Sequence, residues 1–107
     1  MDCDSSAAVG NLVRHDPNID NMAEVAVDNL QKAPIIGWIL RKPTETTCLV
    51  VMQGEIDVSL ARGKIFLSSS GSFTVIPETV GYSQHLGESF GNGKIYFKPN
   101  SVVIKIV

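Results

Sequence analysis

Residues 48–60 read C-L-V-V-M-Q-G-E-I-D-V-S-L, residues 61–64 read A-R-G-K, and residues 65–82 read I-F-L-S-S-S-G-S-F-T-V-I-P-E-T-V-G-Y. After Gly54, apolar side chains alternate with polar ones, which is the period of two expected for a strand with one buried face. The A-R-G-K sequence predicts a turn, because Gly63 adopts a positive φ at little cost. Ile65–Leu67 is then predicted to return as the hairpin partner of the first strand.

Short strands separated by turn signals continue on both sides of this stretch. Upstream, Pro34–Leu40 is apolar on both faces, and the only tryptophan, Trp38, is interpreted as a core anchor rather than an interface residue. The other predicted strands are Phe73–Ile76, Tyr82–Leu86, Ile95–Phe97 and Val102–Val107. A run of short strands of this kind predicts an all-β sandwich or barrel.

Two segments are interpreted as breaks between strands. The first is Arg41–Thr44, because proline cannot donate a hydrogen bond to a sheet ladder. The second is the glycine-rich sequence G-E-S-F-G-N-G at residues 87–93. It lacks the lysine and the following helix of a phosphate-binding loop, so it predicts a hairpin connection.

The composition argues against several classes of protein. The chain has 107 residues, a hydrophobic fraction of 44% and a formal net charge of −2, which fit one globular domain. No cluster of basic residues indicates binding to nucleic acid or to a membrane surface. No apolar stretch approaches the roughly 20 residues that span a bilayer. Cys3 and Cys48 lack the spacing of a zinc site, and two cysteines make a disulfide framework unlikely, which favours a reducing, intracellular compartment.

The first 33 residues are predicted to lie outside the folded domain. Met1–Asn11 is small, polar and acidic, and is interpreted as a loose tail with an exposed Cys3. Ile19–Gln31 fits either an amphipathic helix or an alternating strand. A strand or extended arm is preferred, because the rest of the chain is predicted to be β. The prediction is therefore a tail and arm at residues 1–33 and a β domain at residues 34–107.

The central stretch resembles the two motifs of the cupin superfamily, whose members fold as jelly rolls. In the second cupin motif a glycine and a proline are separated by five residues, as are Gly71 and Pro77 here. The first motif ends in a glycine, which Gly54 matches. The resemblance implies a cupin jelly roll over residues 34–107 with an N-terminal extension.

The metal-ligand positions of the cupin motifs carry other residues in this chain. The glutamate position of the first motif is Thr47, and no His-x-His precedes it. In the second motif, Thr79 stands at the glycine position and Tyr82 at the histidine position. Metal cupins hold iron, manganese or zinc with imidazole and carboxylate ligands. The resemblance therefore implies neither a metal nor another cofactor.

Tyrosine in the histidine position looks like the C-terminal cupin domain of centromere protein C. That family carries a Gly-acid-x-x-Val strand, a Gly-x-Ser/Met-Phe-x-Val-Pro turn and a Tyr-Ser beyond it; the similar segments here are Gly54–Val58, Gly71–Pro77 and Tyr82-Ser83. The resemblance implies a homodimeric domain that pairs two copies of a longer scaffold protein at the centromere and kinetochore in the nucleus. It also implies that the domain recruits other centromere or kinetochore proteins and contacts neither nucleic acid nor membrane.

Catalysis is not expected from the polar residues of the chain. The two histidines, His15 and His85, are interpreted as surface residues rather than metal ligands. Tyr82 and Thr47 are predicted to line the barrel interior, where a buried tyrosine finds a partner for its hydroxyl. The alternative is a small-molecule-binding or enzymatic cupin with a pocket around Tyr82.

Apolar residues on two strands indicate self-association. If Thr47 points inward, the alternate residues of its strand face outward, and the last strand is apolar on much of both faces. The predicted interface of a two-fold homodimer consists of Cys48, Val50, Met52, Val102, Ile104 and Ile106. The alternative is that these stripes are covered within one chain, by each other or by the N-terminal arm. The predicted function is a non-catalytic homodimerisation and protein-interaction module.

Overall fold

A computed structural model describes residues 1–15, 22–25, 34–77, 79 and 81–106 of the chain. Every regular element in this described part is a strand, which confirms the all-β class. The strands are β1 (Asp2–Cys3), β2 (Leu12–His15), β3 (Met22–Val25), β4 (Ile35–Thr44), β5 (Thr47–Val51), β6 (Gly54–Ile56), β7 (Gly63–Leu67), β8 (Phe73–Thr74), β9 (Gly81–Ser83), β10 (His85–Ser89), β11 (Ile95–Phe97) and β12 (Ile104–Ile106).

The first five strands close into a small barrel in the order β1-β3-β2-β4-β5. Strand β1 completes the closure, because it pairs in parallel with β3 and antiparallel with β5. The side chains inside form a small cluster, here called the barrel core. Its buried members are Cys3, Ala7, Val13, Ile39 and Cys48.

The second layer is an antiparallel sheet in the order β6-β11-β10-β7-β8. It packs against the barrel through a larger cluster, here called the main core. The barrel contributes Leu12, Ile35 and Trp38, and the second sheet contributes Ile56, Ile65, Leu67, Leu86, Ile95 and Phe97. Burial of each such side chain stabilises a fold by roughly 1.5–3 kcal/mol. Trp38 is thus confirmed as a core anchor.

The start of β2 and the first half of β4 are apolar on both faces because each face meets a different core, whereas β2 continues with the fully buried Arg14. Leu12 and Trp38 pack in the main core, whereas their chain neighbours Val13 and Ile39 pack in the barrel core. Successive side chains of a strand point to opposite faces. Continuous apolar runs therefore mark the strands that lie between the two cores.

The two layers are tied together by one buried side chain, Gln84. This residue separates β9 from β10 and is 2% exposed. Its Oε1 accepts a hydrogen bond from the backbone N–H of Ile35 at 2.7 Å, and its Nε2 donates to the carbonyls of Ile35 at 2.9 Å and Asn100 at 2.8 Å. The Gln84 amide thereby connects the barrel strand β4 to the point where the chain passes from β11 towards β12.

Strands β9 and β12 form a separate two-stranded antiparallel sheet, here called the C-terminal ribbon. The same two chain segments also form the β10–β11 hairpin, so the ribbon continues that hairpin beyond Gln84. The predicted hairpin connection is confirmed, but its first three residues, 87–89, belong to β10, so the turn is shorter than the predicted 87–93. Phe90 N–H donates to the Lys94 carbonyl at 3.1 Å across the turn.

The expectation of a loose N-terminal tail at Met1–Asn11 is wrong. Strand β1 lies in the barrel, where Cys3 N–H donates to the Thr46 carbonyl at 2.9 Å. The ammonium of Lys42 donates to the carbonyl of Ala7 at 2.7 Å and so holds the segment that follows β1. The polar composition was misleading, because a narrow barrel accepts small side chains and draws its pairing from the backbone. The division at residue 33 therefore does not separate a tail from the folded domain.

The predicted hairpin between the strand after Gly54 and Ile65–Leu67 is also wrong. Strands β6 and β7 belong to one sheet, but β11 and β10 lie between them. The connecting residues cross the sheet, and their apolar side chains, Val58 and Leu60, pack against the main core. The hydroxyl of Ser89 donates to the Leu60 carbonyl at 3.0 Å and fixes this crossing.

Arg41–Thr44 continues β4 instead of breaking it. The pairing with β5 shifts register between Arg41 and Thr44, so Pro43 lies where no regular ladder bond is required. The strand or arm predicted at Ile19–Gln31 is a strand at Met22–Val25. The rest of that prediction lies outside the described residues.

The buried amide of Gln84 gives a direct test of the tie between the layers. Gln84→Met keeps the length of the side chain but leaves Ile35 and Asn100 without these hydrogen bonds, so we expect the free energy of unfolding to fall by about 1–3 kcal/mol. Gln53→Met is the matched control, because Gln53 is exposed and its side chain donates to the Tyr96 hydroxyl alone among the described residues. Urea denaturation measures both; similar small effects for the two variants would contradict the tie.

The two thiols test the position of the N-terminal strand. Burial raises the pKa of the Cys48 thiol, and the neighbouring Cys3 thiol acts in the same direction. The reactive thiolate of Cys48 is therefore scarce at neutral pH, and the side chains of both cysteines are buried. We expect an aromatic disulfide reagent to label neither cysteine quickly in the native state and both in guanidinium chloride. Immediate labelling of native Cys3 would show that β1 does not lie in the barrel.

Candidate functional site

The predicted interface residues on β5 lie inside the chain's own barrel. Cys48 is buried in the barrel core, and the half-buried Val50 packs against it. Val51 packs against the main core on the other face, so the predicted alternation of faces is correct. The expectation that Cys48 and Val50 face outward is nevertheless wrong, because the N-terminal segment and β4 cover that face.

The remaining predicted interface residues are on the surface. Met52, Val102 and Ile104 are exposed. Ile106 belongs to β12, but its side chain lies outside the described part of the structure. Further large apolar side chains are exposed that sequence analysis did not select, namely Val9, Leu40, Leu49, Ile76, Phe90 and Tyr96.

Tyr82 and Thr47 do not share a barrel interior. Thr47 neighbours Cys48 on β5 and therefore points away from the barrel core, and its hydroxyl lies 2.7 Å from that of Thr44. Tyr82 is half-buried in the C-terminal ribbon, opposite Lys105. The prediction that both residues line the barrel is corrected by these positions.

The second sheet carries a cleft on the face that points away from the main core. Its volume is about 760 Å³, which is within the range of ligand sites. We call it the outer cleft. It is lined by His85, Gly87, Glu88, Phe90, Tyr96, Lys98, Pro99, Asn100 and Ser101.

A bulge in β10 forms the floor of the outer cleft. The pairing with β7 shifts register between His85 and Gly87, and Gly87 has a φ of +137°. A Cβ atom at this position would overlap the carbonyl oxygen of Tyr96. Only glycine therefore allows β10 and β11 to approach this closely, and the bulge places two successive outward positions on one side of the cleft.

Backbone hydrogen bonds hold the wall of the outer cleft. The N–H of Lys98 donates to the Leu86 carbonyl at 2.9 Å, and the N–H of Asn100 donates to the His85 carbonyl at 2.9 Å. Asn100 is also the residue whose carbonyl accepts from Gln84. The same amide that joins the layers therefore positions this wall.

Three aromatic rings line the outer cleft, those of His85, Phe90 and Tyr96. Tyr96 is oriented by a hydrogen bond of 2.9 Å that its hydroxyl accepts from Gln53 Nε2. The ring of His85 packs against Phe66 at 5.6 Å between centroids, and its Nε2 is buried without a hydrogen-bond partner among the described residues. The predicted surface position of His85 is corrected, because the ring is half-buried.

The charges at the outer cleft are not used within the described part of the chain. The ion pairs among the described residues join Lys94 to Asp57 at 2.7 Å and to Glu55 at 3.5 Å, and none of these three residues lines the cleft. Asp57 is the main cause of the raised pKa of Lys94. Glu88 and Lys98 belong to neither pair, although both are exposed at the cleft. Their charges are available to a bound molecule.

Within residues 1–15, 22–25, 34–77, 79 and 81–106, no group of three or more His, Cys, Asp or Glu side chains could hold a metal ion. In the same residues, no helix is long and apolar enough to cross a membrane. Comparisons with protein-family models, curated proteins and solved structures found no match to the chain. The site is therefore characterised by its own geometry, which combines aromatic faces with one acidic and one basic side chain.

The bulge at Gly87 can be tested against a second glycine. Gly87→Ala combines a positive φ with the overlap on Tyr96, so we expect a loss of about 3–5 kcal/mol in the free energy of unfolding. Gly93→Ala is the control, because Gly93 has a φ of +85° but open space around its Cβ position. The control should cost about 1–2 kcal/mol. Equal losses in denaturant titrations would mean that β10 and β11 are not in this close contact.

Proposed function

We propose that the chain is a non-catalytic protein-interaction module that pairs with a second copy of itself. The observation that carries this proposal is the exposure of two large apolar side chains near the C-terminal ribbon. Val102 is 59% exposed and Ile104 is 63% exposed. A solvent-facing apolar surface on a sheet is typical of a site that another surface covers.

The geometry of the C-terminal ribbon favours a partner that packs on its face. Among the described strands, β12 pairs only with β9, and an isolated two-stranded sheet is marginally stable. Lys105 lies between Ile104 and Ile106, and a lysine on an edge strand discourages pairing through that edge. If the two subunits pack through the sheet face that carries Ile104, the association does not require pairing along the edge with Lys105.

A second copy is the simplest partner for this face. A two-fold axis presents the same surface on both subunits, so one self-complementary patch closes the assembly. Because Cys48 and Val50 are buried in the barrel core, the proposed interface uses Val102 and Ile104 rather than the interior of β5. Ile106 stays in the proposal from the sequence alone, and Met52 remains a candidate member because it is exposed.

The cellular role in the proposal is supported by the sequence motifs. We infer a cupin jelly roll from the spacing of Gly54, Gly71, Pro77 and Tyr82, and the mostly antiparallel two-layer architecture is compatible with that fold. The resemblance to the cupin domain of centromere protein C supports a place at the centromere and kinetochore in the nucleus. There, pairing would double the binding motifs of a longer scaffold and raise their effective concentration. Other centromere or kinetochore proteins are the proposed further partners, with no cofactor.

The alternative of a small-molecule-binding or enzymatic cupin gains no support at its expected position. That alternative places a pocket around Tyr82, whereas the outer cleft does not include Tyr82 among its lining residues. The outer cleft lies on the outside of the second sheet, so it is not a cavity of the barrel. A binding role for this cleft is a separate question.

Self-association is tested by a charge in the middle of the proposed face. We expect the wild type to have a light-scattering mass of twice 11.6 kDa, and Ile104→Asp to be a folded monomer, because a buried unpaired carboxylate is strongly unfavourable. Val9→Asp is the control, since Val9 is also exposed but lies near the barrel. Circular dichroism checks that both variants fold. A wild type that stays monomeric at all concentrations, or an Ile104→Asp variant that still dimerises, would contradict the proposed interface.

A further inference from the structure

We propose that the outer cleft binds an extended peptide segment of a partner protein, in which an aromatic or proline side chain stands between a basic and an acidic residue. The lining of this site does not include Val102 or Ile104, although Ser101 in the lining adjoins Val102 in the chain, and the inference does not depend on self-association. It assigns a ligand class to a cleft that neither the sequence motifs nor the proposed pairing uses.

The shape of the outer cleft suits an extended chain. Its volume of about 760 Å³ exceeds that of a single side chain. Its two aromatic walls remain accessible, because Phe90 is 46% and Tyr96 is 38% exposed. A cleft that is open to solvent can accept a segment that enters at one end and leaves at the other.

The walls of the outer cleft are prepared before binding. Gly87 makes the bulge at the floor, and Gln53 holds the Tyr96 ring through its hydroxyl. The backbone bonds of Lys98 and Asn100 to β10 hold the opposite wall. A site that is already ordered loses little conformational entropy when a ligand binds, so more of the contact energy appears as affinity.

Phe90 and Tyr96 provide the apolar part of the site. Rings that are half exposed on one face of a sheet lose unfavourable contact with water when another ring or a proline covers them. Pro99 adds a further apolar surface on the same cleft. Aromatic-lined grooves are the usual receptors of proline-containing segments, because proline is already fixed in an extended conformation.

The charges of Glu88 and Lys98 on the rim determine which charged residues are favoured on either side of the ligand's aromatic or proline residue. Glu88 lies directly opposite Tyr96 on the adjacent strand, and Lys98 is two residues beyond Tyr96 in the chain, so one charge lies beside the ring and the other lies beyond it. Lys64 is opposite Glu88 on β7 without forming an ion pair in the described structure. The positive charge of Lys64 reduces the attraction of Glu88 for a basic ligand residue, whereas Lys98 still attracts an acidic one. These exposed charges mainly select and orient the ligand, and the rings supply most of the affinity.

Nuclear magnetic resonance titration of the labelled full chain tests the proposal. The probe is the blocked peptide acetyl-Arg-Pro-Trp-Pro-Glu-amide, and its match is the same peptide with alanine in place of tryptophan. We expect the first peptide to shift signals of His85, Phe90 and Tyr96, and the alanine peptide to bind at least about tenfold more weakly. Replacement of both charged residues of the peptide by glutamine should weaken binding about two- to fivefold.

Two variants connect binding to the outer cleft. Phe90→Ala removes one exposed ring and should weaken binding of the tryptophan peptide by about tenfold. Ile76→Ala is the control, because Ile76 is exposed but does not line the cleft. It should bind like the wild type. Circular dichroism spectra that match the wild type show that each variant folds.

Three results would overturn the inference. The first is the absence of shifts at the cleft with about 5 mM peptide, a concentration that detects even weak complexes. The second is equal binding to the wild type and to Phe90→Ala. The third is tighter binding of the free acid indole-3-propionate than of the peptide, which would assign the cleft to small aromatic acids. Light-scattering masses of the same samples distinguish the two proposals. If a monomer binds the peptide, the self-association proposal is contradicted and the peptide-binding proposal is not.

Discussion

The structure depends on the three hydrogen bonds made by the side-chain amide of Gln84. The two bonds to Ile35 reach a barrel strand that is 49 residues away in sequence, and the third holds Asn100 in the second layer. A buried amide is costly unless its donors and acceptor are satisfied, so the fold is stable only when all three segments meet at this point. The same contact ends β9, begins β10 and positions a wall of the outer cleft. One polar residue thus connects packing of the layers to the shape of the candidate site.

The closed barrel decides which apolar residues remain for a partner. Closure by β1 buries Cys3 against Cys48, and the apolar stripe of β5 that suggested an interface is covered within the chain. The unused apolar surface therefore lies elsewhere, on Val102 and Ile104 near the C-terminal ribbon and on the rings of the outer cleft. These two surfaces differ in chemistry, because the described part of the cleft carries one acidic and one basic side chain beside its rings, whereas the ribbon carries Lys105 between its apolar residues. We accordingly propose self-association for the first and peptide binding for the second.

The sequence predicted those parts of the fold that repeat over a few neighbouring residues. Alternation after Gly54 identified the half-buried strand β6, although only Gly54–Ile56 of that stretch is a strand, and the burial of Trp38 followed from the apolar run around it. Contacts between distant segments were not predictable in this way. Gln84 is a polar residue of the kind usually exposed on a strand. Its burial is explained only by its hydrogen bonds to residues that are distant in the sequence. Gly87 reads as a loop glycine, and its role in β10 requires the position of β11. The candidate site was missed for the same reason, since it is built across strands rather than along one.

The central claim is that the chain pairs with a second copy through the surface around Ile104. Filtered nuclear Overhauser spectra of an equal mixture of ¹³C-labelled and unlabelled chains test it most directly, because they record only contacts between different copies. The account predicts intermolecular contacts from the methyl groups of Val102 and Ile104, and none from the buried side chain of Cys48. Spectra without any intermolecular contact from Val102 or Ile104, or with contacts confined to another surface, would contradict it.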